Sequence, residues 1–145
     1  MIILRRAKKE DLKFLYKLRE ATLKKYIDQI GHWDEEWQRN NIIKPSNLKR
    51  TLIIIKFGQE VGNISIFKRR KSLSLVRIEI LPKFQCQGIG TNILNRLISL
   101  STKIKTPLFL QVLKLNKNAQ KFYYRLGFIK IGENDTHLKL KFNKY

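Results

Sequence analysis

The sequence predicts a single mixed α/β domain whose central sheet combines antiparallel and parallel strands. Its 145 residues suit one domain, and a 43% share of apolar residues is enough for one hydrophobic core. Strand-like segments fill the middle of the chain, and strand-like and helix-like segments alternate after it. One strand-like run ends at Pro82 and leads through a loop with two glycines into an amphipathic helix. We therefore expect one domain over residues 1–145.

The N-terminal third is typical of one strand followed by two helices. Residues 2–6 form a short apolar strand. Five residues then recur at helical spacing over about five turns: Leu12, Leu15, Leu18, Thr22 and Tyr26. A second, shorter helix around Trp37 ends before Pro45, because the residue before a proline is displaced from helical angles.

The middle of the chain predicts an antiparallel meander of three strands, 52–57, 60–67 and 73–81, joined at Gly58 and at a basic turn. In the third strand the apolar residues change phase after Leu75, which indicates a bulge or a change of face. A helix follows, with five residues directed to the core: Ile89, Ile93, Leu94, Leu97 and Ile98. A strand, a helix and a terminal hairpin over 128–131 and 137–142 complete the order.

The loop that opens this helix has the pattern Gln85-x-x-Gly88-x-Gly90. Glycines remove side chains where a backbone approaches a ligand, and the first N–H groups of a helix lack partners within the helix. The unpaired amides and the helix dipole favour an anion such as a pyrophosphate. A P-loop and a GxGxxG dinucleotide motif are both absent from the sequence, and the alternative is an ordinary helix start.

A second segment, LFLQVLKLNKNAQKFYYRLGF at 108–128, combines a buried strand, Asn116, and a helix that ends at Gly127. The two segments resemble the GNAT superfamily of N-acetyltransferases in order and spacing. The first matches its Gln/Arg-x-x-Gly-x-Gly/Ala signature, and the second its Asn-x-x-Ala-x-x-x-Tyr-x-x-x-Gly-Phe pattern. The resemblance implies the GNAT acyl-CoA N-acyltransferase fold, a central twisted mixed sheet with helices on both faces. It also implies direct transfer of an acetyl group from acetyl-CoA to a primary amine, with no metal.

The resemblance also implies which residues bind acetyl-CoA. The pyrophosphate would lie on the backbone of seven loop residues: Gln85, Cys86, Gln87, Gly88, Ile89, Gly90 and Thr91. The pantetheine arm would bond to exposed strand backbone around Ile80, where this strand splays from its neighbour. Asn116 would either bond to the arm or cap the following helix. Cys86 is most simply a small loop residue rather than a reactive thiol.

Amine acetylation needs a proton donor for the leaving thiolate and a base for the amine. By its position in the family pattern, Tyr123 would be the acid and contact the cofactor; the alternative is that it only fills the core. Some relatives place a glutamate base where this chain has Gln111, and an amide cannot accept the proton. Glu79 is therefore the candidate base, as opposed to an exposed strand residue or a partner of Arg77 or Lys83; a water chain would also serve.

The acceptor amine would bind in the N-terminal third, where acids and tryptophans are concentrated. The residues expected there are Tyr26, His32, Trp33, Glu36 and Trp37. Aromatic rings and carboxylates recognise a cationic amine through cation–π contacts and ion pairing. The alternative is that the tryptophans join helices to the sheet and the acids form pairs on helix surfaces.

The net charge of +20 attracts anionic ligands but does not determine the fold. A basic CoA- or nucleic-acid-binding protein without catalysis is the alternative, although nucleic acid is not favoured because the basic residues are spread along the chain. The sequence has no run that could span a membrane, and its single cysteine is compatible with the cytoplasm. The expected partners are acetyl-CoA and an amine, and the protein would be a monomer or a homodimer.

Overall fold

The structure, a computed structural model, describes residues 1–142 and contains seven strands and five helices among them. The strands are β1 (Ile2–Arg6), β2 (Thr51–Lys56), β3 (Gln59–Lys68), β4 (Leu73–Ile80), β5 (Leu108–Leu113), β6 (Phe128–Glu133) and β7 (His137–Phe142). The helices are α1 (Leu12–Ile30), α2 (Glu35–Ile43), α3 (Pro45–Arg50), α4 (Ile89–Lys103) and α5 (Lys117–Leu126). Every strand predicted from the sequence is present, with bounds that differ by two residues at most.

The seven strands belong to one sheet in the order β1-β2-β3-β4-β5-β7-β6. Strands β1 and β2, β2 and β3, β5 and β7, and β6 and β7 pair antiparallel, whereas β4 and β5 pair parallel. This arrangement confirms the predicted mixed sheet. Backbone contacts divide the chain into two compact units, which are described in turn.

The first unit consists of Met1–Ile66 and Arg77–Gly90. Helices α1 and α2 pack on its strands through a core of five buried residues, Leu15, Tyr16, Trp33, Ile42 and Ile53. Helix α1 follows the predicted spacing over its full 19 residues. Helix α3 was not predicted, because Pro45 was interpreted only as the end of α2. Proline is also common in the first turn of a helix, where its missing N–H needs no partner, and Pro45 begins α3.

The second unit consists of Phe67–Val76 and the chain from Thr91 onward. Helix α4 buries four of the five residues predicted to face the core, Ile89, Ile93, Leu94 and Leu97, whereas Ile98 is half-buried. The pairing of β4 with β5 covers only Leu73–Leu75 and Leu108–Leu110.

Of the two explanations that the sequence offered for β4, a bulge or a change of face, the change of face is wrong. The buried side chains of this strand are Leu73, Leu75 and Glu79, which keep a single phase, whereas Val76 is 51% exposed. A carboxylate therefore occupies a core position of the strand. The apolar pattern appeared to slip because Glu79 interrupts it.

Strand β3 lies very close to β4 at Gly62, where a Cβ would overlap the carbonyl oxygen of Glu79. We expect Gly62→Ala to lower the free energy of unfolding by about 3 kcal/mol, because backbone rather than a flexible side chain would have to move. The matched control is Gly132→Ala in β6, whose Cβ would meet only the Lys139 side chain at 3.7 Å. Denaturant unfolding of both variants tests this, and equal stabilities would contradict the close contact.

Candidate functional site

The loop between β4 and α4 contains the geometry expected of an anion cradle. A short 3₁₀ turn, Pro82–Phe84, follows β4, and α4 begins at Ile89. Gly88 has φ of +82° and a Cβ added there would meet nothing within 4 Å. Cys86 is also left-handed, with φ of 61°, and its thiol is exposed and free. The loop is therefore shaped by backbone and leaves open space beside Gly88.

Two glutamine side chains close this loop. Gln85 Nε2 donates to the carbonyl oxygen of Ile80 at 2.8 Å, and Gln87 Nε2 donates to that of Lys83 at 3.0 Å. These two side chains therefore stabilise the loop in addition to its backbone conformation. The Ile80 carbonyl is already occupied by Gln85.

Helix α5 in the second unit is fixed at both ends. Asn116 caps its start, with Oδ1 accepting from the Ala119 amide at 3.1 Å. Gly127 ends it with φ of +105°, and its amide donates to the Tyr123 and Tyr124 carbonyls. The capping role of Asn116 that the sequence left open is thus present, and its side-chain NH₂ group is not the group that makes the cap.

Tyr123 is buried on α5, with 7% of its surface exposed. Its ring packs against Phe122 and Phe128, at centroid distances of 5.3 and 5.8 Å. Burial raises the pKa of Tyr123 to about 12, so the phenol stays protonated at neutral pH. Tyr124 is 42% exposed and points away from this aromatic cluster.

Glu79 in the first unit is buried, with 7% of its surface exposed, so it is not the exposed strand residue that the sequence left open. Thr22 Oγ1 of α1 donates to its Oε2 at 3.3 Å, while its Oε1 has no hydrogen-bond partner. Neither Arg77 nor Lys83 forms an ion pair with it within 4.0 Å in the described chain. The carboxylate thus keeps one free oxygen under helix α1.

A buried arginine of α1, Arg19, lies near Glu79. Arg19 Nη1 donates to Gln38 Oε1 at 3.1 Å and to Asn41 Oδ1 at 3.0 Å, which ties α1 to α2. Burial lowers the pKa of Arg19 to about 10, repulsion from Arg77 adds to this effect, and Glu79 opposes it. Arg19 and Glu79 therefore interact electrostatically without a direct ion pair.

The segment expected to bind the acceptor is divided between core and surface. Trp33 is buried, its Nε1 donates to Tyr16 Oη of α1 at 3.0 Å, and it shares a core cluster with Ile53 of β2, which agrees with the alternative that it joins a helix to the sheet. Trp37 is 58% exposed, His32 and Glu36 are exposed, and Tyr26 is half-buried. The structure does not gather these five side chains into one aromatic and acidic surface.

Most acids of this segment have local partners. Asp34 caps α2 by accepting from the Trp37 amide at 2.9 Å. Asp28 pairs with Lys24 at 2.7 Å, and Glu35 pairs with Arg39 at 3.6 Å. These are the helix-surface interactions that the alternative predicted.

Sequence reasoning missed several buried polar residues: Arg19, Gln38, Asn63 and Gln120. Gln120 Nε2 donates to the carbonyls of Leu113 and Lys114, joining α5 to the end of β5. A signal was available for Arg19, which lies four residues after Leu15 and three before Thr22, on the buried stripe of α1.

Comparison with known proteins is consistent with this combination of sheet, glycine loop and capped tyrosine helix. The family model for the acetyltransferase (GNAT) domain matches residues 7–145. The chain belongs to the GNAT acetyltransferase family, and it is an acyltransferase.

Solved structures share its fold at low sequence identity. PaiA N-acetyltransferase from Thermoplasma acidophilum, in complex with coenzyme A, is 18% identical with a TM-score of 0.79, covering 97% of this chain and 98% of its own. The ribosomal-protein-S18-alanine N-acetyltransferase from Escherichia coli is 20% identical, with a TM-score of 0.70 and coverage of 97% and 92%. Arabidopsis thaliana Naa50, in complex with the bisubstrate analogue CoA-Ac-MVNAL, is 19% identical, with a TM-score of 0.68 and 97% coverage of both chains.

The raised pKa of Tyr123 predicts a pH-dependent stability. The folded chain holds the phenolic proton up to a pKa of about 12, whereas the unfolded chain loses it at 10.0. The stabilisation is complete below pH 10 and is lost as the pH rises from 10 towards 12, by about 2 kcal/mol. Tyr123→Phe should remove this part of the alkaline decline, and Tyr124→Phe should leave it unchanged. Denaturant unfolding between pH 8 and 12 measures the difference; identical slopes for the wild type and Tyr123→Phe would refute it.

Proposed function

We propose that this acetyltransferase takes its acetyl group from acetyl-CoA and holds the pyrophosphate on the loop from Gln85 to Thr91. The observation that carries the proposal is the open space at Gly88, in a left-handed loop that leads directly into α4. The backbone amides at the start of that helix and its dipole suit a pyrophosphate. The complex of PaiA with coenzyme A supports the choice of ligand.

Two further contacts are assigned to the pantetheine arm and the acetyl end. The Asn116 side chain uses its oxygen as a helix cap and retains its NH₂ group as a donor for the arm. The strand backbone around Ile80 is the other partner that we propose for the arm. Its carbonyl already accepts from Gln85, so we assign the contact to neighbouring backbone groups of the strand.

The reaction is direct attack of a neutral primary amine on the thioester carbonyl carbon. Glu79 accepts the proton that the amine must lose, through the oxygen that has no partner. As the carbon–sulfur bond breaks, its electron pair goes to sulfur and Tyr123 donates its phenolic proton to the thiolate. Tyr123 carries its proton at neutral pH, since burial raises its pKa to about 12.

We further propose that the chain acts as one catalytic domain in the cytoplasm. The match of the family model over residues 7–145 supports a single domain. Acetyl-CoA is an intracellular metabolite, and the free thiol of Cys86 is compatible with a reducing compartment. In residues 1–142, none of the helices is both long enough and apolar enough to cross a membrane.

The cradle is tested by Gly88→Asp. Aspartate tolerates left-handed angles, so the variant should fold, but its side chain and charge would occupy the space proposed for the pyrophosphate. We expect calorimetry to show at least a 100-fold loss of affinity for acetyl-CoA, about 2.7 kcal/mol. The matched control is Gly58→Asp, in the β2–β3 turn, where φ is +75° and a Cβ also meets nothing within 4 Å. An affinity for Gly88→Asp within twofold of the control would rule out the cradle.

The acid and base are tested by Tyr123→Phe and Glu79→Gln, which keep shape and remove the proton-transfer group. Each should lower kcat by about 100-fold while the dissociation constant of acetyl-CoA stays within threefold. Tyr124→Phe, on the exposed side of the same helix, is the control and should keep the wild-type kcat. Full turnover in Tyr123→Phe would remove Tyr123 from the mechanism, and full turnover in Glu79→Gln would transfer the base role to water.

A further inference from the structure

Four polar side chains of the first unit share the layer under helix α1. Asn63 of β3 lies opposite Ile53 of β2, and Ile53 belongs to the core beneath α1. Directly opposed residues of an antiparallel pair project from the same face, so Asn63 also faces α1. Glu79 of β4 faces α1 because it accepts a hydrogen bond from Thr22.

Arg77 completes this set from the strand side. It lies two residues before Glu79 in β4, and alternate residues of a strand project to the same face. Arg19 enters from α1, where Gln38 and Asn41 hold its guanidinium. We call Arg19, Asn63, Arg77 and Glu79 the polar layer.

Each member of the polar layer has one buried atom without a hydrogen-bond partner. These atoms are Arg19 Nε, Asn63 Oδ1, Arg77 Nη1 and Glu79 Oε1. Arg19 and Glu79 are each 7% exposed and Asn63 is 4% exposed. Buried polar groups in folded proteins are almost always paired with protein groups or with ordered water, so four such atoms in one layer need a polar partner from outside the chain.

The four atoms divide by chemistry into two halves. Arg19 Nε and Arg77 Nη1 are cationic donors, which match the two oxygens of a carboxylate. Glu79 Oε1 and Asn63 Oδ1 are acceptors, which match an ammonium or amine group.

The charges of the layer favour the same ligand. Two guanidinium groups face one carboxylate, so the layer has an excess of positive charge. Burial is the main cause of the lowered pKa of Arg19, and repulsion from Arg77 adds to it while Glu79 opposes it. A carboxylate on the ligand would correct this excess, whereas a polyamine would add to it.

We infer that the acceptor is a small amine that carries its own carboxylate, the chemical class of the free α-amino acids. Its carboxylate binds Arg19 and Arg77, and its amino group binds Asn63 and Glu79. This inference rests on the proposed function, since it places the amine against the proposed base. It excludes polyamines and amines that lack a neighbouring carboxylate as preferred acceptors.

The experiment compares matched acceptors: α-amino acids, their carboxamides, the corresponding decarboxylated amines, and spermidine. For the wild type we expect kcat/KM for the preferred amino acid to exceed that of its carboxamide by about 100-fold, through KM. Arg77→Gln should reduce this ratio to below about tenfold, and Arg77→Lys should restore part of it because the charge returns. Arg70→Gln, in the exposed turn before β4, is the control and should keep the wild-type ratio.

Binding gives an independent measurement that needs no turnover. With coenzyme A present, calorimetry should detect the amino acid with the wild type and show at least a tenfold weaker affinity for its carboxamide. The Arg77→Gln variant should bind the two with affinities that differ by less than about tenfold, because Arg19 remains. The calorimetric comparison takes the place of an Arg19→Gln variant, because that substitution would break the hydrogen-bonded link between α1 and α2.

The outcomes separate the two proposals. Acetylation that favours spermidine, or that treats amino acid and carboxamide alike, overturns the acceptor class and leaves the acetyltransfer proposal intact. An unchanged ratio in Arg77→Gln together with a lowered Tm shows a structural ionic layer only, and it also overturns the inference. Binding of acetyl-CoA with no acetylation of any amine overturns the proposed function. In that case the affinity for the amino acid relative to its carboxamide, measured by calorimetry, decides alone whether the polar layer binds a carboxylate.

Discussion

The contact between Gly62 and the backbone of Glu79 is the constraint on which the first unit depends. No side chain fits at position 62, so β3 approaches β4 more closely there than paired side chains would permit. Leu81 N donates to Val61 O at 2.9 Å and continues the same contact. Because the backbone of Glu79 is held in this way, its carboxylate is directed under α1, where Thr22 reaches it.

In the second unit, the position of Tyr123 is fixed by the two ends of helix α5. Asn116 caps the first turn, Gly127 ends the last, and Gln120 binds two carbonyls at the end of β5. A Cβ on Gly127 would approach the Phe142 ring to 3.1 Å, in a backbone conformation that side chains rarely adopt. Tyr123 is therefore held on a short helix with little freedom to rotate or slide, as its proposed role of proton donor requires.

Periodicity predicted the elements well because most core positions in this chain are apolar. The prediction failed where polar residues occupy core positions. Glu79 interrupts the apolar pattern of β4, so the pattern indicated a change of face, and Arg19 was overlooked in the buried stripe of α1. The glycine loop and the tyrosine helix were predictable because backbone angles and capping impose particular residues on them. Partners of a buried polar group come from distant segments, so the link from Arg19 to Gln38 and Asn41 could not be predicted from spacing.

The net positive charge of the chain suits both proposed substrates. Only Glu133 and Asp135 of the 11 acidic residues lie outside the first unit, and the whole chain has a net charge of +20. Acetyl-CoA is anionic, and an amino acid presents its carboxylate to Arg19 and Arg77 in the proposed complex. A positive field speeds the encounter with the cofactor and stabilises a carboxylate that has left water. The same field opposes a polycationic acceptor, so the overall charge favours the acceptor class that we infer for the polar layer.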